Sequence, residues 1–546
     1  MNTHTCKTQR TLITVAALLM AIVPAAGCNN NPTTSPAVIA ADAASPTAPT
    51  GPTRSPATAA PVPTASGTSA PTRTPAPTHT ASASPRPTPT DSATAPPAPS
   101  PSPLATRSLA GVEVSESTLT LLTYPYRGYL IEQADPVYNM PVFYFNRPQF
   151  EADSPAPVLQ DYKTVVLENP YLRLTFLPEL GGRLYGATIK ATGQEVFYHN
   201  PVVKPSRYGV LQPAEANWWL AAGGMEWAYP TQEHGYRFGV PWDYRVAQTP
   251  NGAAITLTDT APGRVGLAVT VSLAANSAGF SVEPLLTNQS SAAVPVQVWS
   301  NAALTLAAGS MPADTQFVAA TDVITIHSRG EAGWTVPGPG RHAPWPQVGQ
   351  TDLRDYRQWA NYLGFFVDNQ AAPFLAAVNP NSRLGMVRLG PLDFPGSAGK
   401  LFAFGPDFPY RDYTDDDSQY FEIWGGANAA FWADYDRIVL PGQSLGWREV
   451  WWPLSGLDGL SWATEQAAIH VQPAPQTADG YILSALLARP TRGRVQITSG
   501  GTTVLEEPFE AAPNSPLTWE FNAVRGPINI ELTDQQHQTL LNYQFE

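Results

Sequence analysis

The sequence predicts an all-β protein, and three observations predict it. Past residue 108, short runs of alternating apolar and polar residues recur, each bounded by Gly, Pro, Asn or Asp. No stretch carries the three-and-four apolar spacing that a long amphipathic helix needs. No period repeats along the chain, so one large sandwich fits better than a string of small modules.

The 546-residue chain opens on Lys7 and Arg10, an apolar run from Thr11 to Val23, and AAGC at Ala25 to Cys28. The run is too short to span a bilayer comfortably, and a positive start with a small-residue end is the form of an export signal. The segment resembles a bacterial lipoprotein signal peptide. That resemblance implies that Cys28 becomes the acylated first residue of the mature chain and that Cys6 leaves with the signal. An ordinary secretory signal with an incidental cysteine is the alternative, and both readings export the protein. After acylation no thiol remains for a disulfide, a metal site or a nucleophile. Several acyl chains on one cysteine anchor a protein stably, which one chain does not.

Residues 29–108 are almost entirely Pro, Thr, Ser and Ala. Such a segment cannot bury enough apolar surface to offset its ordering entropy, so a disordered stalk is expected. Fully extended as polyproline II it would reach about 250 Å.

Residues 109–465 carry the main succession of strands. In YLRLTFL alternation puts Leu172, Leu174 and Phe176 on one face; in GLAVTVSLA it puts Val269, Val271 and Leu273 on one face, with Ala268, Thr270 and Ser272 opposite. Further runs lie at Ala254 to Thr258, Phe280 to Leu286, Val294 to Leu306, Val323 to His327, Tyr362 to Val367, Phe374 to Val378, Leu384 to Leu389, Leu401 to Phe404 and Tyr420 to Trp424. Residues 473–546 hold six more at short spacing, which suits a small immunoglobulin-like β-sandwich without the Cys and Trp pattern of an antibody domain.

The net charge of -13 and a charged fraction of 14% leave no basic stripe to neutralise phosphates, which argues against nucleic acid. The histidines show no HExxH spacing and no zinc set is expected. Asp415, Asp416 and Asp417 offer hard oxygen ligands for calcium, or form a solvated acidic loop. No cofactor motif is present, and an acidic, tryptophan-rich surface suits a neutral ligand such as a carbohydrate.

Two stretches concentrate the chemistry: GGMEWAYPTQEHGYR at Gly223 to Arg237 and QYFEIWGGANAAF at Gln419 to Phe431. On a strand, Tyr420, Glu422 and Trp424 share a face, so a carboxylate stands between two aromatics. The rings match the apolar C–H face of a pyranose and the carboxylate accepts from its hydroxyls. Trp299 and Asn301 share a face with Gln297, and Trp447, Glu449 and Trp451 repeat the aromatic, acid, aromatic order. Each has a structural alternative. The tryptophans can be core, and Glu422 can be paired with Arg183 or Arg237. His234 can be a hydrogen-bonded loop residue, and Glu226 and Arg183 can cap turns.

The segment LRLTFLPELGGRLYGATIKATGQEVFYHN, then GGMEWAYP, VWSNAAL and YFEIWGGANAAFWADYDRIVLPGQSLGWREVWWPL, resembles the bacterial family called domain of unknown function 5107 over roughly Val165 to Leu454. That family is similar to the galactose-mutarotase-like group, which implies a β-supersandwich with a carbohydrate site on its concave face. In the group's aldose 1-epimerases a GG-x-x-x-x-x-P stretch is followed by HGF-x-R. Here GGMEWAYP is followed by HGYR, with His234 and Arg237 in place, and Glu422 stands where the catalytic glutamate precedes a PG turn. There the glutamate takes the anomeric hydroxyl proton while a histidine protonates the ring oxygen. This chain departs at that histidine, having Trp299, Ser300 and Asn301 near its position.

The expectation is therefore an exported, lipid-anchored, extracytoplasmic protein that binds a mono- or oligosaccharide. Glu422 and His234 are the candidate proton-transfer groups, with Arg183, Glu226, Arg237, Trp299, Asn301, Tyr420 and Trp424 around the ligand. An aldose 1-epimerase-type enzyme and a non-catalytic scaffold are the alternatives.

Overall fold

Leu172, Leu174 and Phe176 lie on one large sheet and Val269, Val271 and Leu273 on another, and all six meet in one core. The computed structural model describes residues 111–546 apart from 210, 212–215, 332, 368–371, 391–397 and 478. Cys28, the rest of the expected signal and residues 29–108 of the expected stalk lie outside the described residues.

The first sheet has 14 strands and the second 9, and neighbours within each are largely antiparallel. All six residues named above are at most 1% exposed, each apolar side chain contributing about 2 kcal/mol of transfer free energy. Ala268, Thr270 and Ser272, on the opposite side of their strand, are half-buried. The α-helix among the described residues, Arg147–Asp153, is short; the Asn146 side chain caps it by accepting from the Gln149 amide.

One buried carboxylate, ion-paired within the second sheet, also bonds to the first. Glu449, on the Glu449–Ser455 strand of the second sheet, accepts from Arg388 Nη2 at 2.7 Å, Trp447 Nε1 at 2.8 Å and Trp451 Nε1 at 2.9 Å. Ser300 Oγ of the first sheet donates to the same carboxylate at 3.0 Å. Burial works against the charge of Glu449, but Arg388 and the two indoles outweigh it and hold its carboxyl below the usual range. The second aromatic, acid, aromatic run is thus an internal knot in which the indoles serve the acid between them.

The strand at Val294 divides in two. Val294–Val296 pairs with Arg437–Val439 in a small separate sheet, and Trp299–Leu304 enters the 14-stranded sheet. Near the C-terminus two four-stranded sheets share a core that includes Leu483, Ile497, Phe521 and Ile530. The Ala467–Pro473 strand belongs to this pair of sheets, ahead of the residue at which the C-terminal module was expected to begin.

Candidate functional site

The first sheet sets two rows of side chains on one face. Glu226 stands opposite Asn301, Asn301 opposite Trp424, Trp424 opposite Lys400 and Lys400 opposite Phe366. In the adjoining row Ala303 stands opposite Glu422, Glu422 opposite Phe402, Phe402 opposite Gly364 and Gly364 opposite Ser328. The register shifts between Ile326 and Ser328. This β-bulge brings His327 and Ser328 together at the wall of the same cavity.

Glycines make room for this face. Gly223 and Gly224 take φ of 82° and 70°, and a Cβ on Gly223 would lie 2.1 Å from the Tyr198 carbonyl oxygen. The chain therefore turns sharply from Trp219–Gly223 into Met225–Ala228 and delivers Glu226 to the sheet. The loop that follows holds Glu233 at φ 54°, in the left-handed region, beside His234.

The cavity has a volume of about 110 Å³. Glu422, Glu233, His234, His327 and Lys400 reach it between aromatic walls that include Tyr413, Tyr420, Trp424 and Phe431, with Tyr208 and Tyr362 also lining it. Trp424 Nε1 donates to Glu422 Oε2 at 2.9 Å. The Lys400 ammonium lies 4.3 Å from the Trp424 ring centre, 4.8 Å from that of Phe431 and 5.6 Å from that of Phe402. Tyr208 OH donates to Glu233 Oε1 at 3.4 Å, and His327 Nε2 lies 3.7 Å from the same oxygen.

Burial dominates the titration of these groups. It pushes Glu422 up, with Lys400, His234 and the Trp424 indole pulling back only in part. It pushes Glu233 up as well, against His234 and Lys400. Burial drives Lys400 down to about 8 although Glu422 and Glu233 favour its charge. It drives His327 down to about 3, helped by repulsion from Lys400, so that ring is neutral near pH 7.

His234 is aimed from behind. Its Nδ1 lies 2.5 Å from Glu226 Oε1, and Glu226 also accepts from Arg183 Nη2 at 2.9 Å, Trp219 Nε1 at 2.9 Å and Asn301 Nδ2 at 3.3 Å. Burial opposes the Glu226 charge, yet His234 and Arg183 outweigh it and hold the carboxyl below the usual range. An ionised carboxylate only accepts, so Nδ1 carries the proton that it donates, and Nε2 is left for the cavity. Trp219 stacks on the imidazole at 4.1 Å and fixes its plane.

Of the residues chosen from sequence, Glu422, His234, Tyr420 and Trp424 line the cavity. The others were expected around the ligand and are placed elsewhere. Arg183, Glu226 and Asn301 form the polar support behind His234, because the Glu226 charge draws the donors to itself. Trp299 packs edge-on against Phe431 at 4.8 Å and donates its indole N–H to Gln297. Arg237 pairs with Asp259 at 2.7 Å, an acid that also binds Arg264, so it pins the HGYR loop to the second sheet. Glu422 pairs with neither Arg183 nor Arg237. Asp415 is engaged by Lys204 and Tyr124, Asp416 by Ser418 and Asp417 by Arg411.

Lys400, Glu233 and His327 are the ammonium, carboxyl and imidazole groups of the lining that the motifs did not single out. Alternation in KLFAF, with Lys400, Phe402 and Phe404 opposite Leu401 and Ala403, marks Lys400 as a cation on an otherwise aromatic face. The same rule puts Thr325 and His327 opposite Ile324 and Ile326.

Residues 138–453 match the family described as domain of unknown function (DUF5107). The chain belongs to that family. The DUF5107 match takes in every strand of the cavity and stops before the C-terminal sheets. Among solved structures, the chain is similar to a TPR-domain containing protein from Parabacteroides distasonis, at 22% identity and TM-score 0.49, over 64% of this chain and 56% of that one. It is also similar to a putative aldose 1-epimerase from Escherichia coli, at 12% identity and TM-score 0.35, over 53% of this chain and 97% of that one. A galactose mutarotase related enzyme from Lactobacillus acidophilus matches at 12% identity and TM-score 0.37, over 55% of this chain and 100% of that one.

Proposed function

We propose that the cavity binds a single sugar ring. The observation that carries this reading is the interleaving, in about 110 Å³, of two carboxyl groups, Glu422 and Glu233, with the aromatic side chains of Tyr413, Tyr420 and Trp424. Aromatic faces cover apolar C–H edges, while carboxyl and imidazole groups set in the same wall exchange hydrogen bonds with ring hydroxyls. The volume suits one ring better than a chain. The test is a titration of the protein with a panel of monosaccharides, read by tryptophan fluorescence, since Trp424 is bonded to Glu422. Saturable quenching that weakens about tenfold in Glu422→Gln, the loss of one hydrogen bond to the carboxyl group, is expected. A flat response to every sugar would reject the reading and leave a scaffold.

Proton transfer on that sugar is the second reading, and a specific observation favours it. The position expected for an acid histidine holds Trp299, Ser300 and Asn301, but Glu233 and Lys400 stand in the cavity with Glu422 and His234. A base at Glu422 and an acid at one of these would meet the need for two proton-transfer groups around one ring. Proton NMR of freshly dissolved anomers checks it: interconversion faster than in buffer supports the reading, and a rate equal to buffer removes it.

We also propose that the protein is exported and acylated at Cys28, on the sequence pattern of residues 1–28 alone. Incorporation of a labelled fatty acid that disappears in Cys28→Ala is the expected result; label retained in that variant counts against it.

A further inference from the structure

Lys400 differs from the other described lysines. Lys163 pairs with Glu116 at 2.9 Å, Lys190 with Glu168 at 2.5 Å and Lys204 with Asp415 at 2.6 Å, each with a partly exposed side chain. Lys400 is 3% exposed, lines the cavity, and has neither an ion pair nor a hydrogen bond with any described residue. Its neighbours are the rings of Trp424, Phe431 and Phe402. Glu422 sits diagonally across the strand pair, since Lys400 opposes Trp424 while Glu422 opposes Phe402. Diagonal residues on one sheet face stand about 7–8 Å apart, within reach of long side chains; no ion pair joins these two, and they are placed to flank one small molecule.

An ammonium and a carboxylate hold the same number of protons as an amine and a carboxylic acid. Water favours the charged pair; burial among aromatic rings favours the neutral one. The neutral pair supplies a free amine and an acid on either side of the cavity.

We propose that Lys400 captures the open-chain aldehyde of an aldose, or of a smaller hydroxyaldehyde, as a covalent imine in this cavity. The proposal rests on the carbohydrate reading of the site. The Lys400 Nζ lone pair adds to the carbonyl carbon, forming the C–N bond, and the carbonyl oxygen takes a proton from Glu422. Nitrogen then loses a proton to the carboxylate. As the C–O bond breaks, the hydroxyl takes the proton back from Glu422 and leaves as water, the nitrogen lone pair closes the C=N bond, and the protonated imine returns its proton to the Glu422 carboxylate. Amine and aldehyde give imine and water with no change of oxidation state, and hydrolysis reverses each step. A lysine titrating near 8 exposes far more free amine at pH 7 than one near 10.5.

The test is reductive trapping. The protein is incubated at pH 7 with glycolaldehyde, then with D-glucose, in the presence of cyanoborohydride, and labelled lysines are identified by peptide mapping. Label on Lys400 faster than on Lys163, Lys190 or Lys204 by roughly two orders of magnitude is expected, from its larger share of free amine. It should vanish in Lys400→Arg with the other three unchanged. The mapping in the unsubstituted protein needs no variant, so misfolding of that variant does not blunt the result. Label spread evenly over the four lysines, or confined to the exposed three, overturns the proposal. A fluorescence titration with glucose on the same samples separates the two readings: binding without Lys400 label removes the imine alone, and absence of both removes the sugar site as well.

Discussion

Lys400 and Glu422 are buried titrating groups of opposite charge type, and each shifts away from its ionised form. For Lys400 the folded value is pushed down to about 8, so between about 8 and 10.5 the folded protein binds fewer protons than the unfolded chain, and stability rises with pH through that window. Lys400→Met removes an ammonium buried at a cost. It is expected to be more stable than the parent at pH 7 by on the order of 3 kcal/mol, an advantage that fades toward pH 10 in urea titrations. Glu422 runs the other way. Its folded value is raised by burial, so the contribution of its neutral form is present below the ordinary carboxylate range and lost as pH rises through the folded value. Glu422→Gln should gain stability over the parent at pH 7 and none near pH 4, while losing sugar binding. Stabilisation that ran in the same direction with pH for both variants would show that burial is not what sets these values. Glu422 was legible because a carboxylate between aromatics on a strand has few inexpensive explanations. Lys400 was not: the strand was read as starting at Leu401, and a lysine at a strand's edge is ordinarily solvated.

The two aromatic, acid, aromatic strands show what alternation settles and what it leaves open. Tyr420, Glu422 and Trp424 share a face, as do Trp447, Glu449 and Trp451, and nothing in the spacing separates them. Glu449 lies over Arg388, which neutralises it, and under Ser300 of the opposite sheet. Among the described residues Glu422 has one donor, the Trp424 indole, and it faces an open cavity. Glu449→Gln leaves Arg388 buried without its charge partner and is expected to cost about 3–5 kcal/mol, measured by chemical denaturation. The Glu449 carboxyl is held low, so that contribution is present above the ordinary carboxylate range and lost on acidification; the parent and variant curves should converge toward pH 3. The WGGAN stretch is explained by the same knot. A Cβ on Gly425 would lie 2.2 Å from Glu449 Oε1, and one on Gly426 would lie 2.3 Å from the Trp299 ring. Gly425→Ala should therefore destabilise by about 2 kcal/mol or more, the cost of overpacking a closed core. A melting temperature unchanged by that substitution would mean that the carboxylate has room to move.

The C-terminal sheets meet the second large sheet through an apolar seam. Phe374, Val387, Trp452 and Leu454 pack with Leu460, Ala463, Ala468 and Leu486 in one buried cluster, and Trp462 stands edge-on to Phe374 at 5.5 Å. Ending the chain at residue 460 would expose this patch. The shortened protein is expected to self-associate in light scattering while the parent stays monodisperse; a well-behaved monomer would show that the seam is dispensable. Six strand patterns past residue 480 and the alternation in the main region were enough to read an all-β chain, because which residues face a core depends only on the two-residue pleat.

The sequence by itself determined the fold class, the core faces of most strands and a carboxylate, an imidazole and two aromatic residues at one cavity. The tertiary structure alone decided which strands adjoin. Trp299–Leu304, Ala398–Ala403 and Phe421–Gly426 are side by side although about a hundred residues separate the first two. That adjacency sets Lys400 beside Glu422, brings His327 in through a bulge, and turns Arg237 and Trp299 toward other partners. Strand pairing over such separations is fixed by the packing of the whole core, which local alternation does not encode.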